Sequence, residues 1–253
     1  QLAVGAQTWA GLAWGEVDAP PALLLHGWLD NAGSFAPLAR LLPGRRLWVP
    51  DLPGHGRSGH RPPGTWYHFV DYVSDVLGLA QALGLQQFDL IGHSMGGAIA
   101  TLVAGAYPER IRRLVLIEAL GPLARPAQAC AADLRRAVDA RLALHDKQLK
   151  IHPDRDAARR ARMQANGLSA AAADALIERA LMPAPGGYVW RSDPRQTLPT
   201  PIRGTEEQYL GLLQAITAPT LTLFAEPATP YLSGADAERR LTALKPQVLL
   251  RLS

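Results

Sequence analysis

One cysteine, three methionines and aromatic residues at only 6% of 253 positions are what this chain has least of, and each scarcity excludes something. A lone Cys130 cannot close an intramolecular disulfide. That fits a reducing compartment, and the cytoplasm is the expected location. Cys130 also sits in an Ala-rich helical stretch, so it reads as inert packing and not as a nucleophile. No apolar run approaches the length that spans a bilayer; Leu23 to Leu25 is only the core of a strand. The chain opens on Gln1 without a charged-then-apolar leader, which reads as a trimmed start. Zinc-ligand spacing, an RNA-binding signature and an aromatic-basic platform are all missing, which argues against nucleic acid as a partner. The formal net charge of +4 gathers between Arg125 and Arg162, where residues such as Arg135, Arg159 and Arg160 outnumber the acids. A solvated helix face accounts for it.

What is present is the composition of an ordinary globular protein, 48% hydrophobic and 19% charged, long enough for one large α/β domain with an insertion. Two short extended runs within residues 2–17 predict an antiparallel hairpin at a sheet edge. Ala22 to Leu25 is a continuous apolar run suited to a strand covered on both faces. A helix is predicted from Ser34 to Leu42, a strand from Arg46 to Val49, a helix from His68 to Leu83, and a further strand from Arg113 to Ile117. This alternation of strand and helix specifies a parallel sheet wound with helices. From Gly121 to Thr217 the alternation stops, and Ala- and Arg-rich helices punctuated by Pro and Gly predict a helical insertion lying over a site as a lid. Leu181, Met182, Tyr188 and Trp190 are candidates there either to line the pocket or to pack the lid. The loop through Asp193 is the expected return from lid to domain. Pro219 to Ala225 resumes the sheet, Ala235 to Leu244 is a helix, and Gln247 to Leu252 is a last strand.

The whole pattern is organised around Asp89-Leu90-Ile91-Gly92-His93-Ser94-Met95-Gly96-Gly97. An apolar strand ending at Ile91 runs into Gly-x-Ser-x-Gly, and a helix from Met95 to Tyr107 follows at once. Ser94 is thereby placed on a very tight turn, with Gly92 and Gly96 free of the side chains that would keep strand and helix apart. Its hydroxyl is held beside the amide-rich start of a helix, where a developing oxyanion is stabilised. The pentapeptide alone is a weak signal; the flanking strand and helix give it weight.

Three ordered signals, His26-Gly27-Trp28, Asp51-x-Pro53-Gly54-His55-Gly56-x-Ser58 and Gly92-His93-Ser94-Met95-Gly96-Gly97, together resemble the α/β-hydrolase fold superfamily across essentially the whole chain. The longer string from His26 to Phe35 resembles its serine hydrolase-like branch. The resemblance implies a mostly parallel sheet flanked by helices, with residues 1–120 and 218–253 as core and 121–217 as a helical cap inserted after the sixth strand. It also implies a cofactor-free and metal-free serine hydrolase of carboxylesterase type acting on a small-molecule ester or thioester. Ser94 would be the nucleophile, and the backbone N–H groups of Trp28 and Met95 the oxyanion donors. His26, His55 and His93 would be structural. For the acid, Glu118 at a strand end is favoured over Glu226, since the window Ala225-Glu226-Pro227-Ala228 carries Ala228 where the family expects Asp. The general base is expected in a loop after Ser253. A carrier-protein or acyl-CoA thioesterase docking its partner on the basic segment, and a non-catalytic receptor using the same pocket, are the alternatives.

Overall fold

The computed structural model describes residues 1–5, 7–146 and 150–252, without the side chains of residues 145 and 146. Residues 147–149 of the basic segment therefore lie outside the described residues. In chain order the strands of the first half are β1 (Leu2–Val4), β2 (Gln7–Trp9), β3 (Gly11–Trp14), β4 (Pro21–Leu25), β5 (Arg46–Pro50), β6 (Phe88–His93) and β7 (Ile111–Ile117). The helices among them are α1 (Ala36–Ala39), α2 (Phe69–Ala82) and α3 (Met95–Ala106). Next come α4 (Cys130–Leu142), α5 (Arg155–Asn166), α6 (Ala170–Ala180), β8 (Leu181–Ala184), β9 (Gly187–Trp190) and α7 (Glu206–Gln214). The chain closes with β10 (Thr220–Ala225), α8 (Gly234–Leu244) and β11 (Val248–Leu252).

The main sheet has the order β11-β10-β7-β6-β4-β5-β3, parallel throughout except for β3. Period-two alternation explains its burial. Along β4, Leu23 and Leu25 face the larger core with Leu90, Leu114 and Ile99, while Ala22 and Leu24 face Phe35, Ala39 and Val49 on the other side. Both faces are covered, as a continuous apolar run in a parallel strand requires. The edge strand β11 differs, being exposed along its length.

The topology also selects where a ligand can sit. From β4 the chain moves outward to β5, then returns across to β6 on the other flank of β4. In open parallel sheets the crevice at such a reversal, outside the carboxyl ends of the strands, is where ligands bind. Here those ends carry His26 and Ser94, with Leu25 paired to Gly92.

The structure departs from the sequence reading in four places. The N-terminal hairpin of β1 and β2 forms a sheet of its own, and a third strand, β3, takes the edge of the main sheet. The predicted helix at 34–42 is a 3₁₀ turn over Ala32–Phe35 followed by the four residues of α1. The segment after Ile117 follows the seventh strand of the chain, the fifth of the main sheet, and it is not purely helical: β8 and β9 form an antiparallel hairpin, bridged at Tyr188 by His152. Finally, α7 packs on α3 and α8 with Leu213 in the main core, so it sits with the helices that flank the sheet.

The helix α6 docks at the carboxyl end of the sheet. Asn31 donates to the Leu176 carbonyl at 2.9 Å. A Cβ on Gly33 would lie 2.0 Å from the Ala175 carbonyl oxygen, so the 3₁₀ turn and α6 meet backbone to backbone. Ser169 and Asp154 cap α6 and α5 through bonds to Ala172 and Ala157, and Gly167 ends α5 in the left-handed region at φ 65°.

Candidate active site

Ser94 joins β6 to α3 with φ 50° and ψ −115°, a backbone conformation that side-chain-bearing residues rarely adopt. Holding it costs on the order of 1–3 kcal/mol, so its surroundings must impose it. They do: the Ser94 N–H donates to the Ile117 carbonyl at 2.9 Å, and the Ser94 carbonyl accepts from Ala98 at 3.0 Å. A Cβ on Gly96 would lie 2.0 Å from the Leu25 carbonyl oxygen, and one on Gly92 would lie 2.4 Å from that of Gly96. Only glycine allows the close crossing that this turn needs.

Ser94 faces a cavity of about 350 Å3. Trp28 and Met95 line it with Ser94, so the two residues expected to donate to an oxyanion are brought to one pocket with the serine. Met95 is the first residue of α3, whose leading N–H groups lack intrahelical acceptors. The Trp28 indole N–H donates to the Gln196 carbonyl at 3.0 Å, which anchors the loop after β4 to the return segment.

The histidines near this loop are braces. His26 is fully buried; its Nε2 accepts the Leu52 N–H at 3.0 Å, which leaves the proton on Nδ1 to donate to Gly27 at 2.8 Å. Burial pulls its pKa below the usual imidazole value, and the same cause takes His55, 5.1 Å away ring to ring, down to about 3. Both are neutral at ordinary pH. Asp51 is equally committed: its carboxylate accepts from the N–H groups of Ala32 at 2.7 Å and Arg57 at 2.8 Å and from Arg179 at 2.6 Å and 3.2 Å.

Glu118, at the end of β7 with φ 51°, accepts the Ala225 N–H on its carboxylate. The Tyr231 hydroxyl donates to the Glu118 carbonyl at 2.6 Å and lies within reach of the Ser94 side chain, while Ala119 lines the cavity. Glu226 is exposed, and among the described residues its side chain has no hydrogen-bond partner. No described imidazole is hydrogen-bonded to Ser94.

The rest of the pocket escaped the sequence reading. Leu181, Met182, Tyr188 and Trp190 do not line it; Leu181, Tyr188 and Trp190 pack around Ala158 and Ile177 of α5 and α6. In their place stand Trp66 and Phe69 before and in α2, the stretch Leu198 to Pro201 with Arg203, and Tyr231. A visible signal for the middle group was Leu-Pro-Thr-Pro-Ile-Arg, a doubly Pro-punctuated stretch ending in one arginine. The return loop through Asp193 stops just short of the pocket lining, which in this segment begins at Arg195. Asp193 accepts from Tyr67 at 2.8 Å and from Arg195; burial pushes its carboxyl up, but the Arg195 bonds outweigh that and hold it low. A wider groove of about 960 Å3 lies between α7, α8 and the start of β10, at the opposite end of the strands from Ser94.

The sequence profile of the alpha/beta hydrolase fold family matches residues 20–173, which contain the loops of His26, Asp51 and Ser94. The chain belongs to that family. A serine hydrolase-like protein of Danio rerio is 34% identical over 221 residues, covering 85% of this chain and 68% of its own length. Matches to other serine hydrolase-like relatives span only 34% to 62% of those proteins. Among solved structures, a hypothetical protein of Pseudomonas aeruginosa superposes with a TM-score of 0.92 at 39% identity, covering 99% of this chain and 88% of that one. The thioesterase domain of the curacin biosynthetic pathway superposes at 0.77 with 30% identity, covering 94% and 86%. Among the described residues, no helix of this alpha/beta hydrolase is long and apolar enough to cross a membrane.

Proposed function

We propose that this alpha/beta hydrolase is a serine hydrolase that cleaves a carboxylic ester or thioester through an acyl-enzyme. The observation that carries the reading is Ser94, held in a strained turn at the head of α3 and facing a largely apolar pocket. Its Oγ attacks the acyl carbon, the bond to the leaving oxygen or sulfur breaks, and water then releases the acid from the serine ester. The N–H groups of Met95 and Trp28 stabilise the tetrahedral oxyanion, each donor being worth about 3 kcal/mol in the transition state. Glu118 is the orienting acid in this reading, and a histidine acting as general base takes the serine proton and delivers it to the leaving group. Residues 121–205 act as the cap, docked through α6, and the cytoplasm is the proposed location.

The test is intact-mass spectrometry of the full-length protein after treatment with a fluorophosphonate. A single adduct mapped to Ser94, lost in Ser94→Ala together with ester hydrolysis, is the expected result. Labelling elsewhere, or esterase activity of Ser94→Ala within tenfold of wild type, would sink the assignment; no adduct on folded protein would favour the receptor alternative.

Likeness to the curacin thioesterase domain supports a second reading, a thioesterase acting on a carrier-linked acyl group. Its docking face would be α5, where Arg159 and Arg162 are already paired with Asp174 and Asp30, each at 2.6 Å, and Arg155 and Arg160 are exposed. Charge reversal at Arg155 and Arg160 then raises KM for a carrier-linked substrate and not for a small ester.

A further inference from the structure

Two arginines line the Ser94 pocket, and they are in opposite states. Arg195 is committed. Its guanidinium holds Asp193 at 2.6 Å and also donates to the carbonyls of Arg61 and Pro62, so its charge is neutralised and its donors are used. Arg203 is half-buried, and among the described residues its guanidinium has no carboxylate in ion-pair contact and no hydrogen-bond acceptor.

Its position is nonetheless well fixed. The Arg125 N–H donates to the Gly204 carbonyl at 3.0 Å, and the Gly204 N–H donates to the Tyr209 hydroxyl at 2.9 Å. A Cβ at Gly204 would fall 2.7 Å from the Tyr209 ring, so the backbone after Arg203 is clamped from both sides. The nearby charges do not supply the missing partner. Asp133 is occupied by Arg125 at 2.7 Å and 3.0 Å and by Arg136 at 3.0 Å, so three guanidinium groups face one carboxylate. Burial, with repulsion from Arg125 and Arg136, pulls the Arg203 pKa below the usual arginine value. A half-enclosed cation without a counter-charge is costly, and a ligand anion removes that cost.

Resting on the serine hydrolase reading, we infer that Arg203 is the anion-recognition group of the pocket and that the acyl part of the substrate ends in a carboxylate. The planar guanidinium fork matches a carboxylate with two parallel bonds. Trp66, Phe69, Leu123 and Leu198 supply apolar walls for the methylenes between that carboxylate and the reacting carbonyl. The cavity of about 350 Å3 is at the small end of ligand pockets, which suits the half-ester of a short dicarboxylic acid.

The experiment compares three esters on the full-length protein: p-nitrophenyl hemiglutarate, with the charge on the acyl part; p-nitrophenyl valerate, neutral; and the valerate ester of 4-hydroxybenzoate, with the charge on the leaving group. In wild type, kcat/KM for the hemiglutarate exceeds that for the p-nitrophenyl valerate by tenfold or more. Arg203→Gln lowers that ratio at least tenfold, chiefly through KM, and Arg203→Lys restores part of it. A wild-type ratio within twofold, or one unmoved by Arg203→Gln, overturns the inference; a loss confined to the 4-hydroxybenzoate ester overturns the placement of the anion on the acyl part. Calorimetric titration with monomethyl glutarate separates this from catalysis. Binding that weakens tenfold in Arg203→Gln sustains anion recognition even where none of the esters is cleaved, an outcome that removes the hydrolase reading alone. Equal binding by both proteins, or none by wild type, refutes the inference.

Discussion

At the scale of single residues, the site depends on groups that never touch the pocket. Asp51 is fully buried, and Arg179, arriving from α6, is the cation that neutralises it. The two backbone donors on Asp51 fix the 3₁₀ turn after β4 and the loop after β5, so one carboxylate ties both loops to α6. Removing one partner of a buried pair strands the other charge, which costs about 3–5 kcal/mol. Arg179→Met is expected to lower unfolding free energy by that amount in guanidinium titrations, while the double variant with Asp51→Ala recovers part of the loss. A fully additive double variant would show that the pair is not coupled. Nothing in the local sequence names Arg179 as this partner, because 128 positions separate the two residues.

At the scale of elements, the crossing of β6, α3 and β4 admits no side chain at Gly96. Gly96→Ala forces a methyl group against the Leu25 and His26 carbonyls, and overpacking of this kind costs about 1–3 kcal/mol or more. Gly211→Ala in α7 is the contrast. Its Cβ meets nothing within 4 Å and the site is exposed, so helix propensity alone raises stability by roughly 0.5–1 kcal/mol. Thermal melts of the pair should move in opposite directions; a shared direction would refute the packing argument. The same contrast explains what the sequence disclosed. Strands such as β4 and β6 are apolar runs cut by turn residues, and Ser94 lies between glycines whose spacing reports the tight turn directly. The hairpin of β8 and β9 was hidden because Leu-Met-Pro-Ala carries a proline and follows an Ala-rich helix, and it is held by a contact from His152. The far wall of the pocket was hidden for a similar reason: Trp66, Arg203 and Tyr231 come from three loops that meet only in the folded chain.

For the whole molecule, the buried imidazole pair behind the site sets a response to acid. His26 and His55 lie edge to face, both inside the fold, and burial lowers the pKa of each, His55 to about 3. In the unfolded chain an imidazole takes its proton near 6.5. Between those two values the unfolded state therefore binds more protons than the native state, and stability falls as pH falls from 6.5 toward 3. Above 6.5 both states hold a neutral ring, and the contribution is fully present. Protonation of His26 would also displace the Leu52 N–H from Nε2 and loosen the loop that carries Trp28, so acid weakens the pocket and the fold together. Unfolding free energy measured by guanidinium titration at successive pH values is expected to decline over this window. His55→Gln should reduce the slope by up to one proton per molecule while the His26 contribution persists. Parallel curves for wild type and His55→Gln would mean that His55 stays neutral in both states or charges in both, and that the acid response of the fold arises elsewhere.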